Sequence, residues 1–221
     1  MGREQLKKKT AEIICILSGN NDYPDIVKRY IKDYAPAAIS AKGNLQILQQ
    51  RKLAVFCSVK CPGSLILQTY DLMQVLRKAG VVVISGFHSP MERECLYILL
   101  RGTQPLIICP ARSIEGMRLS AEYKKLLTEG RLLLISPFAE KHRRITTQNA
   151  LIRNKFACAI ADEIFIPYAA PGSKTEHFCR EILAWGKPLL TLDSDYNAGL
   201  LALGAKSVKL DSLPERWKKN C

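Results

Sequence analysis

No apolar run in the 221-residue chain exceeds six residues (Phe156 to Ala161), so no segment is long enough to cross a bilayer as a helix. The N-terminus begins basic, but only Ile13 to Leu17 follow as an unbroken apolar run. Glu12 stands just before them, and a secretory signal is not expected. Gly2 lacks the Ser or Thr at position 6 that myristoylation requires, because Leu6 stands there. Cys-x-x-Cys pairs are absent, which argues against a zinc site, and a disulfide framework does not fit a chain of this kind. Also missing are G-x-G-x-x-G and H-E-x-x-H, and Gly172-Ser173-Lys174-Thr175 lacks the upstream glycine of a P-loop. Histidine is scarce: His88, His142 and His177 only. Neither Ser58 nor Ser89 has an evident His-acid partner, so a hydrolase triad is unsupported. The expectation is a cytoplasmic protein with no membrane, metal or cofactor.

What the chain has is positive charge. Lys and Arg number 33 against 20 Asp and Glu, a net +13. Residues 1–9 and 215–221 hold surpluses of three and two, which leaves about +8 in the body. That balance favours a polyanionic partner. Apolar residues make up 48%, enough for a sizeable core. Of eight cysteines, Cys15, Cys57, Cys109 and Cys158 lie within apolar runs, where cysteine acts as a small hydrophobe.

From residue 53 short apolar runs alternate with amphipathic stretches. Strands are expected at 53–58, 81–85, 106–109, 131–136, 163–167, 188–192 and 207–210. Helices are expected from Pro62-Gly63-Ser64 to about Lys78, from Pro90, over 119–128, after a cap at Thr146 or Thr147, over 173–185, and briefly before 207. Strands apolar throughout, separated by helices, mean a parallel sheet covered on both faces. The fold class is α/β, a doubly wound, Rossmann-like parallel sheet over residues 51–221. Residues 1–50 read as a small helical N-terminal extension and linker, with helices near 4–18 and 24–34.

Ligands of such sheets bind beyond the carboxyl ends of the strands. The residues falling there include Ser58, Lys60, Gly63 and Ser64; Ser85, Gly86, His88 and Glu92; Arg143 and Arg144; and Gly172, Ser173, Lys174, Thr175 and Glu176. Backbone N–H groups at a helix start, reinforced by the helix dipole, bind anions. Two phosphate sites are therefore expected, at 62–64 and 172–175. A mononucleotide or free phosphate would take donors from Gly63, Ser64, Gly172 and Ser173, with Lys60 and Lys174 adding charge. The bland alternative for Arg153-Asn154-Lys155 is a solvated helix face.

The segment from Tyr23 to Leu192 resembles the DNA-processing protein A (DprA/Smf) family. The resemblance is carried by PAAISAKGNLQILQQRKLAVFCSVK, VVVISGF, ERECLYILLRGTQPLIICPARSIE, GRLLLIS and IRNKFACAIADEIFIPYAAPGS. On that match Arg153, Asn154, Lys155, Asp162, Ser85, Gly86, Gly172 and Ser173 occupy signature positions. Where the family carries Ala-Arg-Gly-Ile-Asp, this chain reads His88-Ser89-Pro90-Met91-Glu92, with Ser89 in place of the arginine. The resemblance implies a non-catalytic protein that holds single-stranded DNA along the rim and hands it to a RecA-type recombinase, as a homodimer. Lys60, Arg143, Arg144, Arg153, Asn154, Lys155 and Lys174 would line the DNA.

Pro171-Gly172-Ser173-Lys174-Thr175-Glu176 is also similar to the phosphate loop of LOG-type phosphoribohydrolases, with two glycines replaced. That similarity implies the alternative, a nucleoside monophosphate phosphoribohydrolase or small-nucleotide sensor, with Glu176 as general acid/base.

Overall fold

The computed structural model describes residues 12–209. Nine strands form the sheet: β1 (Ile14–Leu17), β2 (Ala38–Gly43), β3 (Lys52–Val55), β4 (Val82–Ser85), β5 (Leu106–Ile108), β6 (Leu132–Ser136), β7 (Glu163–Phe165), β8 (Leu189–Leu192) and β9 (Lys206–Val208). Their order is β1-β2-β6-β5-β4-β3-β7-β8-β9. The helices are α1 (Ile26–Ile31), α2 (Gly63–Leu76), α3 (Pro90–Leu100), α4 (Ala121–Thr128), α5 (Thr147–Ile160), α6 (Lys174–Ala184) and α7 (Ala198–Ala202). Every residue of β3, β4, β5, β6, β7 and β8 is buried, the signature of strands covered on both faces.

The chain divides into two compact units. One comprises residues up to 51, Ile84–Gly86 and Pro105–Ile160. In it β5 and β6 run parallel, β2 pairs antiparallel with β6, and β1 pairs antiparallel with β2. Helix α1 buries Val27 and Ile31 and packs on α5, which buries Phe156 through Ile160. The other unit comprises Lys52–Val83, Phe87–Gln104 and the chain from Ala161. Here β3, β7, β8 and β9 are all parallel, and α2 packs on α3 through residues including Leu65, Leu72, Cys95 and Leu99. Lys52 and Asp162 fix where β3 and β7 begin. Asp162 Oδ2 accepts from the Lys52 backbone N–H at 2.7 Å and pairs with its Nζ at 3.3 Å.

The elements expected from residue 53 onward are found, each within a few residues. The N-terminal expectation needs correction. Ile14–Leu17, placed in a helix over 4–18, is a strand, and the rest of that stretch up to residue 11 lies outside the described residues. The stretch 24–34 is helix α1 followed by a 3-10 turn, Lys32–Tyr34. The linker holds β2, whose alternating burial of Ile39, Ala41 and Gly43 is that of an antiparallel strand. These residues therefore build sheet and are not a purely helical appendage. The basic stretches 1–9 and 215–221, together with Leu210, lie outside the described residues.

Candidate nucleic-acid interface

Three helices begin at the carboxyl ends of strands in the second unit, and they begin differently. Helix α3 has a full capping box. Ser89 Oγ accepts from Glu92 N–H at 3.2 Å, while the Glu92 carboxylate reaches back to Ser89 N–H at 3.4 Å. Glu92, 6% exposed, also accepts from His88 N–H at 2.9 Å and Cys57 N–H at 3.3 Å. One buried carboxylate thus holds the loop after β3 and the start of α3 together.

Helix α6 also has a serine cap, but its glutamate reaches past the cap to the residue before it. Ser173 Oγ accepts from Glu176 N–H at 3.2 Å, and Glu176 Oε2 accepts from Gly172 N–H at 2.9 Å. The Ser173 N–H donates to Ala170 O at 3.0 Å. Gly172 and Ser173, expected to donate to a phosphate, spend those donors inside their own loop. Glu176, the candidate general acid/base, is a cap, and its Oε1 lies 3.7 Å from Arg180 Nη2. Lys174 is exposed and Thr175 half-buried.

Helix α2 is open. Its cap residue Pro62 offers no side-chain hydrogen bond, and no acidic residue lies in the first turn. Gly63 and Ser64 are exposed, and nothing lies within 4 Å of where a Gly63 Cβ would sit. Lys60 is exposed beside them, with no ion pair among the described residues. Ser58 is buried, its Oγ accepting from Ala170 N–H at 3.1 Å and its own N–H donating to Tyr168 O at 3.2 Å. A cavity of about 500 Å³ opens here, lined by Val59, Lys60, Cys61, Pro62, Ile66 and Tyr168. An uncapped helix start with an adjacent cation is what an anionic oxygen seeks.

In the first unit the signature residues do something else. Arg153 is only 3% exposed, which rules out the solvated-face reading for it. Its Nη1 donates to Cys109 O at 3.0 Å and its Nε to Asn154 Oδ1 at 2.6 Å. Cys109 N–H in turn donates to Ser85 O at 2.9 Å, and Ser85 is fully buried. A Cβ on Gly86 would lie 0.9 Å from Arg153 Nη1, so only glycine leaves room for the guanidinium. The following residue, Phe87, is buried with φ +48°, a conformation costing an L-residue about 1–2 kcal/mol. Lys155 is half-buried, whereas Arg143 and Arg144 are exposed on the loop after β6. Arg143 also pairs with Glu140.

Sequence reasoning placed Glu92 and Glu176 on the rim but missed that Glu92 closes a capping box and that Glu176 ties back to Gly172, although Ser-x-x-Glu is written at 89–92 and 173–176. Tyr168 was missed altogether, since a lone half-buried tyrosine carries no pattern. No group of three or more potential metal ligands occurs among the described residues, and no described helix is long and apolar enough to cross a membrane.

The family profile for DNA recombination-mediator protein A matches residues 14–209, nearly the whole described chain. The chain belongs to that family. Among solved structures it is similar to DNA processing protein A from Streptococcus pneumoniae, at 19% identity and a TM-score of 0.74, covering 97% of this chain and 78% of that one. The Helicobacter pylori DNA processing protein A, described for its single-stranded DNA binding mode, gives 21% identity and a TM-score of 0.71 over 93% and 95%. The molybdenum cofactor carrier protein of Chlamydomonas reinhardtii is more distant, at 9% identity and a TM-score of 0.50 over 76% and 95%. At these identities the solved structures establish the shared fold, which is the Rossmann-like α/β class expected. None of the curated proteins matches the chain.

Proposed function

We propose that this recombination-mediator family member is a cytoplasmic protein that binds single-stranded DNA through its phosphates. The observation that carries the reading is the open start of α2, with Gly63 and Ser64 exposed beside unpaired Lys60. Lys174 in the same unit, and Arg143 and Arg144 in the other, add exposed cations. The relative from Helicobacter pylori, described as binding single-stranded DNA, supports the choice of ligand. Arg153 serves as a buried positioning residue, and Ser85, Gly86 and Asn154 shape its seat. Delivery of the strand to a RecA-type recombinase, and action as a homodimer, complete the proposal.

The phosphoribohydrolase alternative is disfavoured, because both oxygens of Glu176 already serve the loop and Arg180. Fluorescence anisotropy with oligo-dT at low salt tests the reading. Micromolar binding is expected, and nothing tighter than ~100 µM would remove it. Nucleoside monophosphates are expected to be left intact over the same conditions.

A further inference from the structure

Helices α2 and α3 pack along their buried sides and leave a second cavity between them, of about 360 Å³. Tyr70 of α2 and Tyr97 of α3 both line it. Neither tyrosine has a stacking, cation or hydrogen-bond partner among the described residues. Tyr97 is 53% exposed, and Val59 on the same lining is 75% exposed. Val59, Cys61 and Ile66 also line the 500 Å³ cavity at the open start of α2, so the two cavities adjoin. Aromatic and apolar surface thus stands in water directly beside the helix start that is open to phosphate. These are the parts of a single-strand site, in which cations follow the backbone and aromatic rings take the bases.

We infer that the cavity between α2 and α3 is a base subsite, which holds one nucleobase against Tyr97 and Tyr70 while a phosphate of the same strand meets Lys60 and the start of α2. The inference rests on the phosphate contact proposed above and assigns the cavity next to it. Charge sorts the two cavities. The lining of the first carries Lys60 and no carboxylate, and so suits an anion. The lining of the second carries Arg93 and Glu94, one charge of each sign, and so suits a neutral ring. The Glu94 carboxylate only accepts hydrogen bonds, and a base offers it a ring N–H or an amino group. A volume of 360 Å³ falls within the roughly 300–1,000 Å³ of small-molecule sites, which is room for one base and its sugar. Only an unpaired base can leave its stack to enter, so the subsite also explains a preference for single strands over duplex.

The test compares, by anisotropy with the full chain, oligo-dT and an abasic oligodeoxynucleotide of equal length, which keeps the phosphates and lacks the bases. Oligo-dT is expected to bind about tenfold tighter, the order of effect of one base on an aromatic ring. Tyr97→Ala is expected to abolish that preference without changing the salt slope for oligo-dT, because stacking releases no counterion, and Tyr97→Phe to retain it. Equal affinity of the wild-type chain for the two oligomers, or a Tyr97→Ala loss that falls equally on both, overturns the base subsite and leaves the phosphate reading standing. Failure to bind either oligomer removes the phosphate reading and the subsite with it. An oligomer carrying 5-iododeoxyuridine, irradiated on the protein, is expected to cross-link within tryptic peptides 61–77 or 94–101, which hold Tyr70 and Tyr97. Cross-links confined to other peptides overturn the placement. Should a second copy of the chain cover this cavity instead, Tyr97→Ala would change the sedimentation mass and not the preference for bases, and the subsite would fall.

Discussion

Arg153 shows how a basic residue in a suggestive position acquires its meaning from burial. Its guanidinium ties the Cys109 carbonyl at the end of β5 to the turn after β4, and it fits only because residue 86 has no side chain. Gly86→Ala must expel the guanidinium into a place where its hydrogen bonds are lost. Unfolding by urea is expected to show a loss of about 3–5 kcal/mol, the range for leaving a buried charge uncompensated. Arg153→Ala, which removes the charge as well, should cost less than the glycine variant. The cysteines separate by the same criterion. Burial first of all pushes Cys95, Cys109 and Cys179 up to about 12, so at pH 8 they are thiols, not thiolates. Iodoacetamide at that pH is expected to label Cys61 ahead of all three, read by peptide mass spectrometry with time. Equal rates would contradict the buried environments. From sequence, Cys57, Cys109 and Cys158 in apolar runs were legible as core, whereas Cys15, read in the same way, is exposed on β1, the strand at the end of the sheet order.

Elements starting from the same rim are distinguished by their first turn. Helices α3 and α6 each carry a serine cap and a glutamate that reaches back to the start of the helix or the loop before it, and α2 has neither. Ser89 stands where the family resemblance calls for arginine, and its hydroxyl spends itself on the helix start. Ser89→Ala should lower stability by about 1 kcal/mol, the usual worth of a cap, as a shift in the urea midpoint at constant slope. Strands β3 through β8 were legible because a strand buried on both faces writes a continuous apolar run. Strand β2 was not. It buries Ile39, Ala41 and Gly43 between half-exposed Ala38, Ser40 and Lys42, an alternation of small residues that reads as a linker. Strand β1 is four residues long, buries only Ile16, and pairs with β2, a partner more than twenty residues away in sequence. An apolar run of that length fits a helix equally well until the partner is known.

At the scale of the molecule, net charge of +13 predicts affinity for a polyanion but not where it binds. Of the cations proposed to meet phosphate, Lys60, Lys174, Arg143 and Arg144 are exposed, while Arg153 is buried and Lys155 half-buried. Four phosphate contacts on a single strand release about 0.7 counterion each, so log K for oligo-dT should fall against log salt with a slope near −3. Removing Lys60, or Arg144, should make the slope shallower by about 0.7 and weaken binding alike for oligo-dT and mixed sequences, because phosphates carry no base identity. Lys125 on α4 is the control: exposed, and within 3.9 Å of Glu129, its replacement by Ala should leave the slope where it was. Salt titrations of these variants by anisotropy separate phosphate contacts at particular residues from diffuse attraction. If Lys60→Ala, Arg144→Ala and Lys125→Ala all changed the slope equally, the charge would act as a uniform field, and the open start of α2 would have no part in holding the strand.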